Sequence, residues 1–254
     1  MKILLAGDST VANCPTFEYP MSGWGAQLPP HVYTWAAVHN FAKGGASTES
    51  FREEGLWDRL LADAGDGDLV LIQFGHNDQK KPHLAARTGY AANLRTMVAD
   101  VRNLGARPVL CTPVERRHFL DMPPSGAAAV GQEVEESLED YPEVVREIAL
   151  ELGLPVIDLN AWTRGLYLRL GREESRRLFC HFEPGTHARW PDGLADNTHF
   201  SRQGAALVAG HAAVQLHALG FSPQQHGVRY GPITAGDRAK RAPALGLSTT
   251  AGRG

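Results

Sequence analysis

Five short apolar runs punctuate the chain, at residues 2–6, 38–42, 69–74, 108–112 and 155–159. Most are continuously apolar rather than alternating, which predicts strands covered on both faces, as in a parallel sheet. Between them lie apolar positions at helical spacing. Residues 87–104 keep that period and stop at Gly105, and residues 141–152 keep it and stop at Gly153. Glycine takes the left-handed conformation that closes a helix with least strain. A last helix is predicted from Ser201, whose hydroxyl can cap the first turn, to Leu219 before Gly220. Strands alternating with helices predict a flavodoxin-like, three-layer α/β/α sandwich around a five-stranded parallel sheet of order 2-1-3-4-5.

Two stretches break this rhythm. Residues 115–140 mix Pro123, Pro124, Ser125 and Gly126 with a run of small residues, and read as an excursion on the ligand-binding side of the sheet. From residue 231 onward the chain is rich in Gly, Ala, Pro, Ser and Thr and has little to bury. The reading is therefore a catalytic domain at 1–230 and a loosely ordered or interface-forming tail at 231–254. A length of 254 residues suits one large α/β domain better than two small ones.

Charge and cysteine content narrow the function classes. A net charge of -3 with no block of like charges gives no surface for nucleic acid. No segment approaches the ~18 apolar residues of a membrane span. The apolar run at the N-terminus ends at Asp8, too short for a secretory leader, so a cytoplasmic location is expected. Cys14, Cys111 and Cys180 form no CxxC pair and read as small buried residues, although Cys14 lies close to Ser9 in sequence.

Ligands of such sheets bind at the carboxyl ends of the strands, where the strand order reverses. Four polar blocks fall at or near that edge. Gly7-Asp8-Ser9-Thr10 follows the first strand and offers a nucleophile, or an ordinary capped turn; a helix following it would favour negative charge nearby. Gly44-Gly45 follows the second strand, where a backbone N–H can approach a ligand closely. Gly75-His76-Asn77-Asp78 follows the third, and the Asn77 amide can donate to the same point as Gly45. Asp196-Asn197-Thr198-His199 lies in a loop before the last helix. There His199 suits a general base near neutral pH, and Asp196 can fix its tautomer. Each block alone is ambiguous; a fold that gathers all four is much more specific. Trp24, Trp57, Trp162, Trp190 and Tyr167 can stack on sugar rings, with core packing the simpler role for any one of them.

In these blocks the chain resembles the SGNH/GDSL hydrolases. The wording Gly7-Asp8-Ser9-Thr10, Asn40-Phe41-Ala42-Lys43-Gly44-Gly45, Phe74-Gly75-His76-Asn77-Asp78, Asp140-Tyr141-Pro142 and Asp196-Asn197-Thr198-His199-Phe200 is most similar to rhamnogalacturonan acetylesterase-like enzymes. The resemblance implies a triad of Ser9, Asp196 and His199. It implies an oxyanion hole made by the Ser9 N–H, Gly45 (or Gly44) and Asn77. It further implies hydrolysis of acetyl esters of plant cell-wall sugars through an acetyl-serine, with no cofactor and no metal. The partner is then a small-molecule or oligosaccharide ester, with a homo-oligomer left open.

Rival readings make distinct demands. A metal-dependent phosphoesterase would carry an Asp-x-His pair, which the chain lacks, and the His and Asp residues between His181 and His199 match no zinc spacing. A non-catalytic carbohydrate-binding protein has no need of an acid three residues before a histidine. An arylesterase, thioesterase or lysophospholipase would share the triad and differ in pocket shape. No Gly-x-Ser-x-Gly elbow, His-Glu-x-x-His or P-loop occurs.

Overall fold

All five predicted strands form. β1 (Lys2–Gly7), β2 (Ala37–Asn40), β3 (Leu69–Gln73), β4 (Arg107–Cys111) and β5 (Val156–Ile157) make one parallel sheet. Its order, β2-β1-β3-β4-β5, is the expected one, with the reversal between β1 and β3. The computed structural model describes residues 1–120 and 133–222. The expected tail at 231–254, and much of the excursion at 115–140, lie outside the described residues.

In chain order the α-helices among the described residues are α1 (Trp24–Gln27), α2 (Pro29–Val32), α3 (Thr48–Glu53), α4 (Leu56–Asp63), α5 (Ala91–Asn103), α6 (Tyr141–Leu152), α7 (Leu159–Arg176) and α8 (Arg202–Ala218). Alternation along each strand sorts side chains into two cores. Ile3, Leu5, Leu69, Leu71, Val109 and Cys111 pack with residues of α1, α2, α7 and α8. Leu4, Ala6, Val70, Ile72 and Leu110 pack with residues of α3, α4, α5 and α6. Both faces are thus covered, which is why these strands are continuously apolar.

Helix ends follow the capping signals. α8 starts where expected, the Ser201 hydroxyl accepting the Gly204 N–H at 3.3 Å, and α6 ends on Gly153 at φ 59°. The helix expected at 87–104 differs at its start. Ala86–Tyr90 forms a wide π-type turn, and the α-helix begins only at Ala91. The Tyr90 ring is fully buried there, its hydroxyl donating to the Phe74 carbonyl at 3.0 Å.

Two elements carry no clear period in sequence. α7 buries Leu159, Thr163 and Tyr167 but is otherwise crowded with Arg and Glu, and it kinks at Gly171, φ 72°. After it, β6 (Phe179–Phe182) and β7 (Leu194–Phe200) form an antiparallel pair outside the main sheet. The block carrying Asp196 and His199, read from sequence as a loop, is therefore a strand. Phe179 and Phe200 at its base belong to the core, and Arg117 donates its N–H to the Asn197 carbonyl at 2.8 Å.

Candidate active site

β1 ends at Gly7, paired with Gln73 at the end of β3. The Asp8 carbonyl then accepts the N–H groups of Val11 at 3.1 Å and Ala12 at 3.0 Å. This tight turn carries Ser9, and no helix starts there; a short 3₁₀ turn follows at Thr16–Glu18, and α1 begins at Trp24. A helix dipole behind Ser9 is thus ruled out. The turn is held from β2 by the Asn40 amide, which donates to the Val11 carbonyl at 2.8 Å.

His199 Nε2 lies 2.9 Å from Ser9 Oγ, and His199 Nδ1 lies 2.7 Å from Asp196 Oδ2. The other Asp196 oxygen accepts the backbone N–H groups of Thr198 at 2.7 Å and His199 at 2.8 Å. Residues three apart on a regular strand point to opposite faces. Here the carboxylate folds back on its own backbone, and so meets the ring. Burial raises the Asp196 pKa, but the His199 bond and charge and the two N–H donors outweigh it and hold the carboxyl below its ordinary value. Burial lowers the His199 pKa, but Asp196 outweighs it and the ring sits above its ordinary value. With Nδ1–H donated to Asp196, the neutral ring presents its Nε2 lone pair to the serine hydroxyl. That arrangement can accept a proton and then stabilise the resulting imidazolium.

Ser9, Gly44, Gly45, Asn77, Asp196 and His199 all line one cavity of about 640 Å³. The structure brings together every predicted site residue. Gly45 has φ 78°, a left-handed conformation that favours glycine. A Cβ on Gly44 would lie 3.9 Å from Ser9 Cβ, so this backbone runs beside the serine. The Asn77 amide is oriented from both ends: Oδ1 accepts from Lys80 Nζ at 3.0 Å and Nδ2 donates to the Ala46 carbonyl at 3.1 Å. Its second N–H is left for another acceptor.

Sequence reasoning missed several neighbours. Lys80 and Arg116 are the cationic side chains of the cavity wall. Arg116 donates to the carbonyl and hydroxyl of Ser137 at 3.1 and 3.3 Å. Burial lowers its pKa against the pull of nearby carboxylates. Lys80, three residues after Asn77, could have been found from its spacing; Arg116 had no such signal. Of the aromatic candidates, Trp24, Trp57 and Tyr167 are core residues and Trp162 stacks on His211 at 4.2 Å. Trp190 lines the cavity, stacked on Phe182 at 5.4 Å. Cys14 also lines it, whereas Cys111 and Cys180 are buried.

A model of the GDSL-like lipase/acylhydrolase family matches residues 5–207. The chain belongs to this family, a class of acyl-ester hydrolases. It is 42% identical over 226 residues to the rhamnogalacturonan acetylesterase RhgT of Bacillus subtilis, covering 89% of this chain and 94% of that one. It is 38% identical over 223 residues to the rhamnogalacturonan acetylesterase of Emericella nidulans, covering 82% and 81%. The crystal structure of Bacillus subtilis YxiM superposes with a TM-score of 0.69 at 26% identity, covering 86% of this chain and 56% of that one. The chain thus spans little more than half of that protein. Among the described residues, no helix is long and apolar enough to cross a membrane.

Proposed function

We propose that the chain is a serine acetylesterase that deacetylates sugars of the rhamnogalacturonan type through an acetyl-serine on Ser9. The observation that carries this reading is the unbroken relay Ser9–His199–Asp196, at 2.9 and 2.7 Å, in the cavity that also holds Asn77. His199 takes the Ser9 proton as Oγ attacks the acetyl carbonyl. The N–H groups of Ser9 and Gly45 and the Asn77 amide receive the developing oxyanion. His199 protonates the departing sugar hydroxyl, and water then cleaves the acetyl-serine with the same base. Nothing in these steps calls for a cofactor. The sugar substrate is supported by the relatives of 42% and 38% identity that are named for it. An oligosaccharide ester is the partner in this reading.

Acetate release from acetylated rhamnogalacturonan oligosaccharides, measured beside p-nitrophenyl acetate, tests it. Wild-type protein releases acetate from both, and Ser9→Ala loses about 10³-fold or more on each. Turnover of p-nitrophenyl acetate without acetate release from the sugars sinks the substrate and leaves a general arylesterase. Undiminished Ser9→Ala activity sinks the nucleophile.

A further inference from the structure

Beside the candidate nucleophile lies a second acid–histidine pair that the relay does not use, its His76 in the wall of the same cavity. His76 Nδ1 is 3.2 Å from Asp8 Oδ2, and the two side chains are 3% and 0% exposed. Asp8 Oδ1 also accepts the Thr10 N–H at 2.9 Å and the Thr10 hydroxyl at 2.8 Å. Thr10 Oγ1 in turn accepts from Gln73 Nε2 at 2.6 Å, and Gln73 Oε1 accepts from the Trp24 indole at 2.8 Å. Thr10, Gln73 and Trp24 are at most 1% exposed. The result is one buried chain, Trp24–Gln73–Thr10–Asp8–His76.

Its placement gives it meaning. Asp8 and Thr10 flank Ser9 on both sides, and His76 directly precedes Asn77. Gln73 ends β3 and His76 lies in the turn just after it, so the β1 turn is joined to the β3 end at two points. These two turns carry the nucleophile and the side-chain oxyanion donor. They are otherwise connected by the β1–β3 ladder, which ends at Gly7 and Gln73, before either residue.

Local burial argues that the pair is held for a purpose beyond packing. The Asp8 carboxyl stays below its ordinary value although burial alone would raise it, because the His76 charge and hydrogen bonds from His76 and Thr10 outweigh that cost. Among the described residues, His76 Nε2 on the far side of the ring has no partner, and neither do Asp78 Oδ2 and Gln79 Oε1. An apolar side chain at position 76 would remove that unpaired nitrogen but leave the buried Asp8 Oδ2 without its His76 bond. Among the described residues, only the Nδ1 edge of the ring makes a bond, and that bond spans the two turns.

We propose that His76 is a positioning residue, whose Nδ1 bond to Asp8 sets the spacing between Ser9 and Asn77 and so assembles the oxyanion hole. This rests on the roles given to Ser9 and Asn77 above. It concerns oxyanion geometry, not proton transfer, so its effect falls on kcat and leaves KM nearly alone. Removing an oxyanion donor costs about 10²–10³ in kcat, and misplacing one by about 1 Å costs up to about 10².

The test compares His76→Asn with His76→Gln on p-nitrophenyl acetate, with Ser9→Ala alongside. The Asn amide nitrogen falls where Nδ1 lies in histidine, and the Gln amide nitrogen falls nearer Nε2. Both side chains are polar and neither is larger than histidine. His76→Asn is expected within about fivefold of wild-type kcat. His76→Gln is expected about 10- to 100-fold below wild type, KM staying within about twofold in both. The rate of covalent inactivation by a p-nitrophenyl phosphonate, which needs the same oxyanion hole, falls in step with kcat. Equal kcat for the two variants, or a loss carried by KM, overturns the proposal. If His76→Gln melts well below His76→Asn, Thr10→Val is measured in its place, since it removes the other staple; wild-type kcat in a folded Thr10→Val then counts against the proposal. Undiminished Ser9→Ala activity would instead remove the function proposed above, whatever the His76 variants do.

Discussion

His199 is where charge, burial and rate meet. Burial opposes the imidazolium, and the Asp196 hydrogen bond and charge, with a smaller pull from Asp8, reverse that and lift the ring above its ordinary 6.5. In the proposed mechanism the base must be neutral to take the Ser9 proton. Activity is therefore lost as pH falls through the raised value, and the acid limb of kcat/KM is expected to have its midpoint above 6.5. The stability contribution runs the other way. For His199 it is full below 6.5 and fades as pH rises through the raised value. For Asp196, lowered from 3.8, it is present above that value and fades as pH falls through the lowered one. Asp196→Asn should shift the acid limb to lower pH and cost about 10⁴ in kcat. A pH profile of kcat/KM for the two proteins checks both; an unshifted limb would mean that another group titrates.

Several residues of the candidate site could be named from sequence because they sit at places the fold makes special. Ser9 and Asn77 follow strands that are continuously apolar, so the first polar residues after them had to lie at the sheet's carboxyl edge. The surrounding hydrogen bonds could not be read in that way. Nothing in Gly75-His76-Asn77-Asp78 says that the histidine bonds to Asp8 while the asparagine bonds to Lys80 and the Ala46 carbonyl. That choice is made by three-dimensional contacts 68 positions apart along the chain.

At the scale of elements, α8 shows how one backbone contact supports the site. Its first turn rests on the Leu178 carbonyl just before β6: the Ser201 N–H donates to it at 2.9 Å, and a Cβ on Gly204 would stand 2.1 Å from it. That oxygen belongs to backbone and cannot swing away. Gly204→Ala is expected to destabilise by about 1–3 kcal/mol or more through overpacking, lowering Tm by roughly 2–12 °C. For Gly210→Ala on the same helix the nearest atoms are those of the His31 side chain, at 3.4 Å and beyond. It should be neutral, or stabilising by up to about 1 kcal/mol through helix propensity. Thermal melts of the pair decide the matter: equal Tm values would mean that the first turn of α8 can shift without cost. The same comparison shows why some elements were hidden. β1 and β3 bury both faces and read as strands. β7 gives several positions to Asp196, Asn197 and His199, so its composition looks like a loop; pairing with β6 and anchoring by Arg117 make it a strand.

The described residues form two apolar cores divided by one sheet, and the candidate cavity lies at the carboxyl end of that sheet. Leu60 of α4 and Leu216 of α8 are fully buried in opposite cores. Leu→Ala at each should cost about 2–5 kcal/mol. The two sites belong to separate clusters, so the double variant should lose nearly the sum of the two. Yet neither core can empty alone, because Leu4 and Leu5, or Val70 and Leu71, sit on one backbone and face opposite ways. Losing one layer exposes a face of β1 and β3 and strips the strands of the packing that holds their register. Unfolding is therefore expected as one transition in urea for wild type and both single variants, with loss of esterase activity coincident with loss of helical signal. A second transition in Leu60→Ala or Leu216→Ala would show that one layer melts while the other holds. If activity disappeared with the first step, the melting layer would be one the cavity depends on. A single coincident transition would mean that the two cores stand or fall with the sheet they share, and the site with them.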